Sequence, residues 1–138
     1  MANLNSKLSA LLKQNNLSVT RQRQTIFDTL GNCESLSMKE LINKTPAMMD
    51  RASVYRTVTL FEKLGIVQRI NIGWKYRIEL SDKFADHHHH LVCTKCSKII
   101  PIDADNLEVF IEQVAAQNKF KAINHQVEIQ GLCNKCRD

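Results

Sequence analysis

Apolar positions in the first half of the chain recur every three or four residues, the spacing of a helix with one buried stripe. Leu4, Leu8, Leu11 and Leu12 predict a first helix over about 4–15. Thr20 reads as the N-cap of a second, with Ile26, Phe27 and Leu30 inward and Gly31 as its stop. Ser37 and Glu40 have the spacing of a capping box and open a third, short helix. It turns Leu41 and Ile42 inward and finishes before Pro46. RASVYRTVTLFEKL, residues 51–64, predicts a fourth helix. Val54, Val58 and Phe61 form its apolar stripe, Arg56, Thr59 and Lys63 lie opposite, and Gly65 ends it.

The period then falls to two. IVQRI and KYRIEL read as strands joined through NIGW, where Gly73 permits a tight turn. Short helices followed by a β-hairpin are the order of a winged helix-turn-helix. SDKFAD, residues 81–86, predicts a polar connector and hinge. Beyond it, HHHHLVC and KIIPI are strand-like, and a helix over about 105–118 carries Leu107, Ile111, Val114 and Ala115 on one side. A last strand over about 122–130 runs into GLCNKC. The expected class is α+β: a winged helix-turn-helix in residues 1–80, a hinge at 81–86, and a small α/β domain in 87–138.

Hydrophobic residues make up 43% of the 138, which suits a packed core and argues against disorder. No apolar run approaches the roughly 18 residues of a membrane span, and the N-terminal stretch lacks the pattern of a secretion signal. The expected compartment is therefore the cytoplasm. In a reducing setting, five cysteines that include two Cys-x-x-Cys pairs point to metal rather than to disulfides. Charge is unevenly divided: residues 1–80 carry 12 Lys+Arg against 6 Asp+Glu, and residues 81–138 carry 7 against 8. That asymmetry directs any polyanionic partner to the first half.

Cys93, Cys96, Cys133 and Cys136 form two ligand pairs separated by a strand, a helix and a strand. Two such turns complete a tetrahedral four-thiolate site, and a structural Zn²⁺ there staples a segment too small for a self-sufficient core. Cys33 stands apart and reads as a small core residue. The four histidines have a different logic. A strand alternates faces at each residue, so His87 and His89 point to one side and His88 and His90 to the other. Four in a row thus make two pairs for two metals, with carboxylates completing each shell.

LSVTRQRQTIFDTL, ASVYRTVTLFEKLGIV, HHHHLVC, the paired Cys-x-x-Cys motifs and INHQVEIQGLC together resemble the ferric uptake regulator (Fur) family of bacterial metal-dependent repressors. The resemblance implies a homodimer on double-stranded operator DNA, with a winged helix reading DNA and a C-terminal α/β domain dimerising. It implies structural Zn²⁺ on the cysteine quartet and a second divalent ion, Fe²⁺, Zn²⁺ or Mn²⁺, as corepressor. His87, His89, Glu108 and His125 match the family's dimerisation-domain site, and Glu79, His88 and His90 match part of its inter-domain sensor. Ser35 stands where the family has a sensor histidine, and Pro101 where it often has an acidic ligand, with Asp103 nearby. For DNA, Tyr55 and Arg56 match the family's reading pair, Arg23 matches a phosphate contact, and Arg51 and Ser53 sit where contact is possible. Ser18 replaces the family's minor-groove lysine.

The expected function is metal-responsive repression, with control of iron or zinc uptake foremost and a peroxide or manganese sensor as alternatives within the family. No enzymatic activity, membrane partner or small-molecule substrate is expected. Two readings from other classes stay open: a zinc-dependent hydrolase built on the histidines and Glu108, and a zinc-ribbon interaction module. Metal-dependent binding to duplex DNA discriminates them.

Overall fold

Helices of the first half begin where the sequence supplies a capping side chain. In the computed structural model, which describes residues 2–138, α1 spans Ala2–Gln14 and α2 spans Arg21–Gly31, with the Thr20 hydroxyl accepting from the Arg23 N–H. The capping box of α3, Met38–Lys44, makes both of its reciprocal hydrogen bonds, between Ser37 and Glu40. Helix α4, Arg51–Lys63, starts at Asp50, whose carboxylate accepts from the Ser53 N–H. Gly65 follows α4 with φ +66°, a left-handed conformation that glycine adopts without strain. Helix α2 ends at Gly31, as expected. The Asn32 side chain closes that helix, donating to the Asp28 carbonyl at 2.7 Å.

These helices bury one continuous core around Leu8, Leu12, Ile26, Phe27, Leu41, Val54, Phe61 and Ile78. The hairpin that follows pairs β1, Val67–Ile72, with β2, Lys75–Leu80, and turns at Gly73 with φ +60°. Strand β1 runs two residues beyond IVQRI because Asn71 and Ile72 join the ladder. Mutual backbone hydrogen bonds between Leu36 and Ile78, 2.7 and 2.8 Å, tie β2 to the segment before α3. The connector is not polar throughout. Phe84 is buried edge-on against Phe27, ring centroids 5.3 Å apart, and the Ser81 hydroxyl donates to the Gly65 carbonyl at 2.6 Å.

Two compact units result: one holds the residues up to Ile70 together with Lys75–Asp86, the other Asn71–Trp74 and His87–Asp138. The second unit is built on a sheet of order β4-β3-β5, with β3 at His89–Cys93, β4 at Ile99–Ile102 and β5 at Glu128–Gly131. Helix α5, Asp105–Gln117, connects β4 to β5. Strand β3 runs antiparallel to β4, His89 opposite Ile102, and parallel to β5, Cys93 opposite Gly131. Only the last five residues of HHHHLVC are strand: β4 offers no partner beyond Ile102, so His87 and His88 leave the ladder. The last strand is likewise shorter than its apolar pattern, with residues 121–127 outside regular structure. No side chain of α5 is fully buried: Leu107, Ile111 and Ala115 are half-buried, and Val109, Phe110 and Val114 are exposed.

Candidate metal centres and nucleic-acid surface

The parallel pairing of β3 with β5 delivers the second cysteine pair to the first. Cys93 ends β3 opposite Gly131, and the turn after β5 then lays the Cys133 N–H 3.4 Å from the Cys93 sulfur. The sulfurs of Cys93, Cys96, Cys133 and Cys136 lie within 4.8 Å of one another, and Cys96 and Cys133 are 3.7 Å apart. A tetrahedron with Zn–S arms of about 2.3 Å has edges of about 3.8 Å, so the quartet fits that ion. Backbone N–H groups of Cys133 and Cys96 pull the Cys93 thiol down to about 6. The Lys135 N–H lowers Cys133 as well. Hydrogen bonding to Cys133, together with burial, pushes Cys136 up to about 12. Four sulfurs at this spacing resist gathering negative charge by themselves, and a divalent cation is the species that reverses the resistance.

A second cluster gathers nitrogen and oxygen. Glu108 projects from the first turn of α5, His89 opens β3, and His87 and His125 reach in from the flanking irregular segments. Glu108 carboxylate oxygens lie 3.0 Å from His87 Nε2, 2.5 Å from His89 Nε2 and 3.0 Å from His125 Nε2. The Nε2 atoms of His87 and His125 are themselves 3.0 Å apart. Burial pushes the Glu108 carboxyl upward, but hydrogen bonds from His125 and His89 outweigh it and hold the group below its usual range. Converging imidazoles around one carboxylate form a donor set that suits Zn²⁺, Fe²⁺ or Mn²⁺ and is harder than the quartet. His88 and His90 form the other pair, ring centroids 4.7 Å apart. In the first unit, Glu79 is buried near the end of β2 and accepts from Gln68 Nε2 at 2.8 Å. Ser35 is held by Arg77, through its hydroxyl at 3.1 Å and its carbonyl at 2.8 Å.

The residues expected to meet DNA lie in the first unit. Arg51, Tyr55 and Arg56 are exposed on the first two turns of α4. Ser53 is buried, its hydroxyl 2.9 Å from Asp50 Oδ2 and 3.2 Å from Arg56 Nη2. Arg23 is half-buried and donates to the Ser18 carbonyl at 2.5 Å. A cleft of about 250 Å³ opens between the start of α2 and α4, lined by Thr20, Gln22, Arg23, Ser53, Arg56, Thr57 and Leu60. Sequence reasoning passed over Asp50, although an aspartate one residue ahead of a helical stripe is an N-cap signal. It also passed over Gln68, whose pairing with Glu79 across the hairpin has no local signature.

Residues 14–130 match the model of the ferric uptake regulator family. The ferric uptake regulation protein of Bacillus subtilis is 33% identical over 143 residues, covering 99% of this chain and 96% of its own. The crystal structure of the Vibrio cholerae ferric uptake regulator superposes with a TM-score of 0.74 at 33% identity, over 91% of this chain and 98% of that one. The Helicobacter pylori regulator shares the fold at a TM-score of 0.80 and 24% identity, over 99% and 93%.

Proposed function

The chain belongs to the ferric uptake regulator family, and from that premise we propose that it is a metal-responsive repressor binding operator DNA as a homodimer, with a divalent ion as corepressor. The observation that carries this reading is the presence, in one small unit, of two preassembled donor sets of different chemistry, one of sulfur and one of nitrogen and oxygen. The sulfur set, Cys93, Cys96, Cys133 and Cys136, fits structural Zn²⁺. The set of His87, His89, Glu108 and His125 fits an exchangeable Fe²⁺, Zn²⁺ or Mn²⁺. The family resemblance assigns His88 and His90, with Glu79, to the sensing ion; control of iron or zinc uptake is the setting we favour. Each convergent set offers four protein ligands, which supports binding rather than hydrolysis.

When bound, the corepressor ion supplies positive charge that fixes its ligands in one arrangement. It biases the chain only through tighter binding to one of two conformations. The residues themselves do the rest. Arg51, Tyr55 and Arg56 project from α4, the helix we place in the major groove. There Tyr55 suits a thymine methyl and Arg56 a guanine edge or a phosphate. Arg23 suits the DNA backbone. The apolar side chains of Val109, Phe110 and Val114 on α5, uncovered in a single chain, suit the partner subunit. Among the described residues no helix is long and apolar enough to cross a membrane.

The decisive experiment titrates Fe²⁺, Zn²⁺ and Mn²⁺ separately into zinc-retaining dimer and follows duplex binding at constant salt. Binding that appears with one of the ions and reverses on chelation is expected. Equal affinity with and without every ion would refute metal-responsive repression.

A further inference from the structure

Arg56 reaches DNA, in the reading above, with its guanidinium already engaged by the protein. Asp50, Ser53 and Arg56 stand three residues apart, so their side chains line one face of the start of α4. Asp50 Oδ1 accepts from the Ser53 N–H at 2.8 Å and Oδ2 from the Ser53 hydroxyl at 2.9 Å. The hydroxyl has one proton and gives it to Asp50, which leaves its lone pairs facing Arg56 Nη2 at 3.2 Å. Donation thus runs in one direction, from Arg56 through Ser53 to a carboxylate. Hydrogen bonds from the Ser53 backbone, then from its hydroxyl, hold the Asp50 carboxyl below its ordinary value, with the Arg56 charge adding to them. Ser53 is buried although polar, so its hydroxyl serves this relay in the free protein.

We infer that Asp50 and Ser53 are positioning residues for DNA reading: they hold the Arg56 guanidinium at the mouth of the cleft shared with Arg23, its remaining N–H groups turned to a paired acceptor on the duplex. This rests on α4 being the reading helix. An arginine spends one of five N–H donors on Ser53 and keeps enough for a two-pronged contact. The rotamer freedom that a loose arginine loses on binding is already surrendered in the fold. The paired acceptor is either the O6 and N7 edge of a guanine or two oxygens of a phosphate.

The test uses full-length protein loaded with Mn²⁺ and a duplex selected by the wild type from a randomised library, at one salt concentration. Ser53→Ala should weaken binding about tenfold, the weight of one hydrogen bond to a charged group. On an Arg56→Ala background the same change should add no loss, because the residue it serves is gone. Ser53→Thr, which keeps the hydroxyl, should restore binding. Asp50→Asn should leave the melting temperature in place, since asparagine caps as well as aspartate, yet weaken binding. A loss confined to one substituted base pair identifies guanine as the acceptor, and a uniform loss identifies phosphate. Wild-type affinity for Ser53→Ala overturns the inference. So does a full, additive loss on the Arg56→Ala background, which would make Ser53 a contact in its own right. If Arg56→Ala alone binds like wild type, α4 is not the reader, and the parent reading fails instead.

Discussion

Cys133→Ser should release one zinc ion per chain and unfold the second unit while the first stays folded. The size of the effect follows from how little else holds that unit together. Across β3, β4, β5 and α5 the buried apolar side chains are Val92 and Cys93. Burying a valine contributes about 1.5–3 kcal/mol. A four-thiolate zinc site supplies on the order of 10–16 kcal/mol of folding energy, which exceeds that many times over. Serine at 133 keeps the backbone N–H that reaches the Cys93 sulfur but loses the sulfur 3.7 Å from Cys96. A serine hydroxyl stays protonated at neutral pH and does not replace a thiolate. The first unit draws its core from other residues, Leu8 through Phe84, and should melt as before. Zinc per chain, sedimentation and a thermal melt followed by circular dichroism report the three consequences. The expected record is no zinc, a monomer, and one surviving transition with the α5 contribution missing. Cys33→Ser serves as the control and should keep its zinc. A Cys133→Ser protein that retains one zinc and melts in a single wild-type transition would refute the reasoning.

Tyr55→Ala and Arg56→Ala should each weaken operator binding by about 1–3 kcal/mol with dimer and zinc intact, measured by competition against unrelated duplex. His90→Ala should abolish metal activation of DNA binding, whereas His125→Ala should only soften it; superimposable wild-type and His90→Ala metal titrations would remove sensing from that pair. Ser37→Ala should lower the stability of the first unit by about 1 kcal/mol, seen as a lower denaturant midpoint, because the capping box on α3 loses the bond to the Glu40 N–H. The Ser37 backbone N–H holds the Glu40 carboxyl below its usual value. A depressed folded value stabilises at neutral pH and is lost as pH falls through it, so Glu40→Gln should flatten part of the acid limb of a stability–pH curve.

Local rules made the first unit legible. Thr20, the Ser37–Glu40 box and Gly65 each act within a few residues, and the stripe of Val54, Val58 and Phe61 has one period. Gly31 marked the end of α2 without taking a left-handed conformation, and Asn32 caps the helix behind it. The second unit was harder to read for a long-range reason. Strand length in His87–Cys93 is set by how far β4 and β5 reach, which no neighbour in sequence reveals. Alternation still separates His87 and His89 from His88 and His90, whose paired rings each lie 4.7 Å apart. The stripe expected on α5 is half-buried at Leu107, Ile111 and Ala115 but exposed at Val114, and Val109 and Phe110 beside it are exposed as well, since periodicity identifies an apolar face but not what covers it. Asp50 went unread although its cap position is a local signal, and the three-residue spacing that links it through Ser53 to Arg56 is equally local.

The parallel pairing of β3 with β5 also fixes an order of events during synthesis. The residues that complete the first unit, up to Asp86, emerge before any of the four cysteines. The sheet of the second unit cannot close until β5 is made, because β5 is the neighbour of β3, and the thiolate cage waits for Cys136. Closing that long loop costs entropy before any contact returns it. Until Cys136 is made, a growing chain therefore joins a first unit with all its core residues to a second whose sheet and thiolate cage are incomplete. A chain whose cage lacks Zn²⁺ is expected to be cleaved more readily in the second unit, which limited proteolysis with and without the ion checks.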